Sequence, residues 1–210
     1  MTVAEPSTDL IVLVADLDAH NAVDALLARP ESLGIRPIGR FLIDRFIKRD
    51  SGCFGDSHEY LRPFVRQFSH ALVIFDRHGC GRENLPREAI ESDVEDRLAK
   101  NGWSNRSAAV VIDPELEAWV WSESPAVPIV LGWAGRDPDL RRWLEENGYI
   151  GPGDLKPADP KESLHAALRV VRKRPSASVF RQLAERIGLY RCLDPAFLKF
   201  KSTLQRWFPT

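Results

Sequence analysis

The sequence predicts an α/β protein with a mainly parallel sheet flanked by helices, followed by a helical C-terminal region. Two observations carry this fold class. Short apolar runs rich in β-branched residues, such as Asp9–Ala15 and Ala108–Ile112, are typical of strands buried on both faces. These runs alternate with segments of helical periodicity, and crossovers of this length connect parallel strands.

The first half of the predicted sheet lies before residue 56. Asp9–Ala15 is the first strand, and Asp18–Arg29 is a helix that ends before Pro30. Ile38–Ile47 shows the alternation of a second strand. Arg49–Gly55 carries aspartate, serine and glycine residues and is predicted to be a loop.

The rest of the core continues the alternation of helices and strands. A glycine-bearing turn is expected at 76–81, and Asp113-Pro114 ends the last strand. We expect the elements in this order: helix Ser57–Phe68, strand His70–Asp76, helix Leu85–Asn101 and strand Ala108–Ile112.

Beyond Trp133 the pattern is wholly helical, which divides the chain into an α/β core (1–133) and a helical region packed on it (134–210). Asp159 precedes Pro160 and is the expected N-cap of one of these helices. The predicted helices are Pro138–Asn147, Pro160–Lys173, Ser176–Ile187 and Pro195–Trp207.

The composition excludes several protein classes. With 44% hydrophobic and 28% charged residues, the 210-residue chain is globular rather than disordered. It has no apolar run of roughly 20 residues, so we expect no membrane association, and its first residues do not resemble a signal peptide. Three widely spaced cysteines suit reduced thiols, so we expect a cytoplasmic protein, either monomeric or oligomeric.

Charge is distributed unevenly along the chain. The net charge is −1, yet residues 161–210 contain 11 basic and 3 acidic residues, whereas the first 160 contain 18 and 27. The basic end either contacts a polyanion or an acidic partner, or is simply a solvated face. The candidate nucleic-acid contacts are Lys161, Arg169, Arg172, Lys173 and Arg174.

Acidic residues follow three of the predicted strands, at the sheet edge where open α/β proteins place their sites. They are Asp16 and Asp18, then Asp76 with His78 close behind it, then Asp113, Glu115 and Glu117. Converging carboxylates are the ligands that Mg²⁺ or Mn²⁺ prefers. The chain has no GxSxG, HExxH or GxxxxGK[ST] motif, so the corresponding hydrolase, zinc-protease and P-loop sites are not indicated.

Several of these residues also have structural interpretations. Asp18 is a possible cap of the first helix, and Asp113 a possible N-cap with Pro114 at the first helical position and Glu115 in the first turn. Glu117 lies in an apolar run and needs a partner, functional or not. His78 is a metal ligand, a phosphate contact or a turn cap. We therefore predict Asp16, Asp76 and Glu117 as metal ligands, and Asp76, Glu117 and His78 as catalytic residues.

Two short motifs resemble those of TOPRIM-like proteins of the RloB type, which occur in bacterial anti-phage defence loci. The first is Val73–Gly79, a strand that ends in Asp-x-x-Gly, and the second is Pro114–Trp119, a Pro-x-x-Glu-x-Trp segment. Segments 156–162 and 194–200 of the helical region look similar too. The resemblance covers most of the chain.

This resemblance implies a TOPRIM fold, Mg²⁺ binding, and nucleic-acid cleavage or other phosphoryl chemistry in anti-phage defence. The sequence departs from the family pattern at Ala15-Asp16, where a glutamate is usual, and at His78, where a second aspartate is usual. Histidine binds Mn²⁺ more readily than Mg²⁺. The implied alternatives are an active metal-dependent enzyme and a degenerate subunit that binds a partner ATPase or a nucleotide.

Overall fold

A computed structural model describes residues 8–189 and 192–210 of the chain. Within these ranges, the sheet has four strands, all parallel, in the order β2-β1-β3-β4. This arrangement confirms the predicted α/β fold class. The strands are β1 (Thr8–Val14), β2 (Phe41–Arg45), β3 (Phe68–Asp76) and β4 (Ser107–Ile112).

Helices connect the strands and form the C-terminal part of the chain. Those between strands are α1 (Leu17–Leu27), α2 (Pro30–Leu33), α3 (Arg49–Leu61) and α4 (Arg87–Leu98). Those after β4 are α5 (Ala126–Leu131), α6 (Leu140–Glu146), α7 (Pro160–Val170), α8 (Ala177–Arg186) and α9 (Pro195–Trp207). Short helical turns at Arg62–Phe64, Ala99–Trp103 and Leu116–Trp119 complete the connections.

The central strand β1 is buried on both faces, as its continuous apolar run predicts. On one face Leu10 and Val12 pack with α1 and with the C-terminal helices. On the other face Ile11 and Leu13 pack with apolar residues of α3 and α4. The sheet therefore separates two apolar layers and fixes the ends of its strands along one edge.

The prediction of a loop at Arg49–Gly55 is wrong, because these residues form the first turns of α3. Burial outweighs the low helix propensity of the aspartate, serine and glycine residues here, because Cys53 and Phe54 pack into the apolar layer on that face of the sheet. Gly52 is required for close packing, because a Cβ atom there would lie 2.4 Å from the ring of Phe46. The predicted helix Ser57–Phe68 accordingly ends at Leu61.

The segment after β4 does not begin a helix at Pro114, so the expected N-cap role of Asp113 is also wrong. Glu115 has extended backbone angles, and the short helical turn begins at Leu116. The Asp113 carboxylate instead accepts a hydrogen bond from Arg77 at 3.2 Å. Because Glu115 is extended rather than helical, its side chain lies among the acidic residues at the sheet edge.

The C-terminal helices occupy the predicted segments: α9 has the predicted bounds, and α6, α7 and α8 are slightly shorter than predicted. Asp159 caps α7 as expected, because its Oδ1 accepts the Glu162 N–H at 2.9 Å. Helices α7, α8 and α9 contribute to the same apolar layer as β1 and α1. None of the helices in the described ranges is long and apolar enough to cross a membrane.

Candidate metal centre

The carboxyl ends of β3 and β4 are held together beyond the last paired residues of the sheet. Asp76 is the final residue of β3 and is opposite Ile112 in the register. The Arg77 N–H donates to the Ile112 carbonyl at 2.8 Å, and the His78 N–H donates to the Pro114 carbonyl at 2.9 Å. These bonds hold the segment that carries Glu115 and Glu117 alongside Asp76.

Three carboxylates converge at this place: Asp76, Glu115 and Glu117. One oxygen from each lies within 4.8 Å of the others, a separation compatible with three ligands of one ion. Glu115 and Glu117 are each only 6% exposed. Two of the three predicted ligands, Asp76 and Glu117, therefore lie in this group, and its third member is Glu115 rather than Asp16.

The electrostatic environment opposes ionisation of these acids in the absence of a cation. Burial, with the charges of Asp50 and Glu117, raises the pKa of Asp76 well above its usual value. Burial also raises the pKa of Glu117, while the positive charge of Lys161 partly offsets this effect. A cation at this place would relieve both shifts, because opposite charge favours the ionised carboxylates.

Lys161, predicted as a nucleic-acid contact, is instead part of the acidic group. Its Nζ lies 2.9 Å from Glu115 Oε2 and 3.6 Å from Glu117 Oε1. Burial alone would lower the pKa of Lys161, but the hydrogen bond to Glu115 and the charge of Glu117 raise it. The ammonium is therefore held in its charged form beside two buried carboxylates.

Asp16 has the capping role that the sequence suggests for Asp18, and neither residue belongs to the three converging carboxylates. Asp16 is the N-cap of α1, because its Oδ1 accepts the Ala19 N–H at 2.9 Å. Asp18 lies in the first turn of α1, and burial together with the charge of Asp16 raises its pKa. Both line a cavity of about 240 Å³ that Asp76, Glu117 and Lys161 also line, so they remain beside the site.

Asp50 is a site residue that sequence reasoning missed. Its Oδ1 accepts the backbone N–H of Asp76 at 2.9 Å, which fixes the end of β3. Burial raises the pKa of Asp50, and the Asp76 N–H opposes that shift. The available signal was its position shortly after β2, at the same edge of the sheet as the other acids.

His78 lies at the rim of the group. Its side chain is 73% exposed, and its Nδ1 is 3.8 Å from Glu115 Oε2. The structure thus brings His78 near the carboxylates but leaves its ring open to solvent. This position is compatible with a ligand or a proton carrier for a group bound there.

Of the other residues predicted to bind nucleic acid, two form contacts within the protein. Arg169 pairs with Glu162 at 2.5 Å, and the Lys173 ammonium donates to the Val130 carbonyl at 2.5 Å. Arg172 and Arg174 are exposed. Because the side chain of Arg169 is also 67% exposed, all three arginines are accessible to a polyanion, Arg169 in competition with Glu162.

A larger cavity of about 730 Å³ lies between the segment after the helical turn at Leu116–Trp119 and α6, with Trp121, Trp133 and Leu144 in its wall. Its size exceeds that of the cavity at the carboxylates. We nevertheless place the candidate site at the carboxylates, because ligand-type oxygens and shifted pKa values converge there.

No protein-family model, curated protein or solved structure matches this chain. The TOPRIM-like resemblance therefore stays a prediction, and the site is interpreted from its own chemistry. Three hard carboxylate donors fit Mg²⁺ or Mn²⁺, whose other coordination positions water or phosphate oxygens can take.

Proposed function

We propose that the chain is a TOPRIM-like anti-phage defence protein with a divalent-metal-dependent nuclease or phosphoryl-transfer site. The observation that carries this proposal is the convergence of Asp76, Glu115 and Glu117 within 4.8 Å at the ends of β3 and β4. Asp76 and Glu117 are at the fixed positions of the two motifs that resemble the family. Glu115 is at a variable position of the second motif and is included because its carboxylate lies beside the other two. The proposed cofactor is Mg²⁺ or Mn²⁺.

Each residue has a distinct part in this proposal. A bound divalent cation would polarise a phosphoryl oxygen and acidify a water molecule. Asp76, Glu115 and Glu117 would hold it, and Asp50 would fix the backbone of Asp76. His78, at the solvent-exposed rim, would transfer a proton, and Arg172 and Arg174 would contact backbone phosphates of a nucleic acid.

The second candidate function is a non-catalytic defence subunit that binds a partner ATPase or a nucleotide. The position of Lys161 favours it, because an ammonium already neutralises part of the charge that a metal ion would neutralise. The net charge of −1 also favours it over a general nucleic-acid binder.

The test compares charge-neutral variants of the three carboxylates in binding and cleavage assays. Purified protein is titrated with Mn²⁺ by calorimetry and incubated with labelled DNA and RNA in Mg²⁺ or Mn²⁺. We expect Asp76→Asn, Glu115→Gln and Glu117→Gln each to lower the Mn²⁺ affinity or the cleavage rate about 100-fold or more. Asp113→Asn is the matched control. Like Glu115 and Glu117, Asp113 follows β4, but it pairs with Arg77 and lies outside the group of three carboxylates.

The outcomes separate the two candidate functions. Cleavage that requires the three carboxylates supports the enzyme. Mn²⁺ binding without cleavage, with phage protection that survives Asp76→Asn, overturns the nuclease and supports the non-catalytic subunit. Absence of Mn²⁺ binding both in the unmodified protein and in a variant that lacks the Lys161 charge overturns the metal site itself.

A further inference from the structure

The ammonium of Lys161 contacts two of the three proposed metal ligands. It donates to Glu115 Oε2 at 2.9 Å and lies 3.6 Å from Glu117 Oε1. Both glutamates belong to the group of three converging carboxylates. One positive charge is therefore already shared between two of the three proposed ligands.

This ammonium only partly satisfies the carboxylates around it. Glu117 is 6% exposed and lines the cavity, and at 3.6 Å its contact with Lys161 is longer than a hydrogen bond. Among the residues that the structure describes, Lys161 is the sole cationic side chain within 4.0 Å of the Glu117 carboxylate. The Lys161 charge and a backbone N–H only partly offset the burial of this carboxylate, whose pKa stays raised, so a divalent cation would compensate its charge more fully.

Lys161 is also positioned to leave. It is the second residue of α7, after the cap at Asp159 and Pro160 at the first position. Its side chain is about half exposed, and its four-carbon stem is flexible. The ammonium can therefore turn into solvent without any movement of α7.

We propose that Lys161 is a displaceable counter-ion that sets the affinity of the site for divalent cations. A metal ion binds a carboxylate oxygen at about 2 Å. If the ammonium stayed on the same Glu115 oxygen, two positive charges would lie a few ångströms apart in a poorly screened site, and their repulsion would weaken metal binding. Entry of the cation therefore requires Lys161 to release Glu115. This inference rests on the proposed metal function.

The test measures Mn²⁺ affinity at constant pH for the unmodified protein, Lys161→Gln and Lys161→Arg. Lys161→Gln removes the competing charge, so we expect Mn²⁺ to bind at least about tenfold more tightly. Lys161→Arg keeps the charge and should bind no more tightly than the unmodified protein. The matched control is Lys156→Gln, because the Lys156 ammonium pairs with the buried Asp194 at 2.9 Å, outside the acidic group.

A second measurement follows the displacement in the unmodified protein itself. The side-chain ammonium of Lys161 gives a lysine ¹H–¹⁵N signal, identified by its absence in Lys161→Gln. A held ammonium exchanges slowly, so we expect this signal without metal and its loss on addition of diamagnetic Mg²⁺. A signal that persists unchanged at saturating Mg²⁺ overturns the displacement.

The Mn²⁺ titrations distinguish a wrong counter-ion role for Lys161 from a wrong metal site. If the unmodified protein binds Mn²⁺ and loses that binding in Glu117→Gln, but Lys161→Gln binds with equal or lower affinity, only the counter-ion role is overturned. If neither the unmodified protein nor Lys161→Gln binds Mn²⁺, the metal site is overturned and the counter-ion role with it. Binding by Lys161→Gln alone supports both.

Discussion

At the scale of the residue, Asp76 shows how the fold concentrates charge at one point. Its backbone N–H is held by Asp50, while its own carboxylate lies near Glu117. Ionising a buried carboxyl group beside other carboxylates is unfavourable, and this raises its pKa well above the ordinary value. The same arrangement that makes Asp76 a good cation ligand therefore opposes folding when no cation is bound.

This opposition predicts that Asp76→Asn stabilises the metal-free protein at neutral pH. Because the folded-state pKa is raised, the contribution of Asp76 to stability is most favourable below its unfolded pKa, about 3.9. That contribution is lost as the pH rises through the folded-state pKa. We expect a gain on the order of 1 kcal/mol at pH 7 that disappears at acidic pH.

The measurement is urea unfolding of both proteins in chelator between pH 4 and pH 8. Asp113→Asn, which changes an exposed carboxylate, serves as the control. A destabilised Asp76→Asn protein at pH 7 would show that the hydrogen bond from the Leu116 N–H outweighs the cost of burying the Asp76 charge, and the prediction would be wrong. In excess Mg²⁺ the unmodified protein should instead be the more stable of the two. Only it keeps all three carboxylate ligands, so it gains more free energy of unfolding from bound metal.

Asp76 and Glu117 were predictable at this scale, because one ends an apolar strand and the other interrupts an apolar run. Glu115 was not, since Asp113-Pro114-Glu115 has the residue order of a helix start. Its true role depends on Arg77 and His78, which follow β3 and whose backbone N–H groups hold the segment after β4 in place. That hydrogen bonding is non-local and has no signature in the local sequence.

At the scale of the element, α4 covers one of the two edges of the sheet, the edge formed by β4. Strand β4 is at the edge, so the N–H groups on its outer side have no neighbouring strand. Glu91 accepts the Val111 N–H at 3.0 Å, and Glu95 accepts the Ala109 N–H at 2.9 Å. Lys199 of α9 pairs with both glutamates, at 3.1 and 2.7 Å. Side-chain carboxylates thus replace a fifth strand and protect the edge from pairing with another chain.

This arrangement predicts a large difference between two neighbouring glutamates of α4. Glu91 is 3% exposed and accepts hydrogen bonds from Arg87 and the backbone, whereas Glu88 is exposed and pairs only with Arg87. We expect Glu91→Ala to lower the free energy of unfolding by about 3 kcal/mol, because it leaves buried donors unpaired. Glu88→Ala should change it by less than about 1 kcal/mol.

Urea unfolding of the two variants gives the free energies. Hydrogen exchange adds a local readout, since the Val111 amide should exchange faster in Glu91→Ala. Equal stabilities for the two variants would mean that water replaces the carboxylate at the edge of β4, and the protective role of α4 would be wrong.

Elements with a strong apolar pattern were predictable from the sequence, and those determined by packing were not. The three apolar strands were found within two residues of their bounds. Arg49–Gly55 has the composition of a loop, and it becomes helical because Cys53 and Phe54 are buried against the sheet. The burial that decides this segment comes from residues distant in sequence.

At the scale of the whole molecule, the helical region after residue 133 is a structural part of the core. Leu164, Leu168, Phe200 and Leu204 are almost completely buried in the same apolar cluster as Leu10 of β1. The candidate site also depends on the helical region, because Lys161 of α7 contacts Glu115 and Glu117 after β4. The core and the helical region are therefore expected to fold as one cooperative unit.

This continuity predicts that a fragment ending at residue 133 does not fold. Burial of one large apolar side chain stabilises a protein by about 1.5–3 kcal/mol. The loss of the four buried leucine and phenylalanine side chains named above is thus comparable to the net stability of a whole domain, about 5–15 kcal/mol. Removing the helices would also expose part of the sheet face on which Leu10, Val12 and Leu72 lie, since α1 would remain its main cover from the strand-connecting helices.

The fragment 1–133 and the full chain are compared by ¹H–¹⁵N correlation spectra, urea unfolding and binding of a hydrophobic dye. We expect the fragment to show poor dispersion, no cooperative transition and strong dye binding, since this apolar face has lost most of its helical cover. The full chain, with its single shared core, should unfold in one transition seen equally by circular dichroism and tryptophan fluorescence. A dispersed spectrum and a cooperative transition for the fragment would instead establish residues 1–133 as an independent domain, with Lys161 supplied to its site from a separate one.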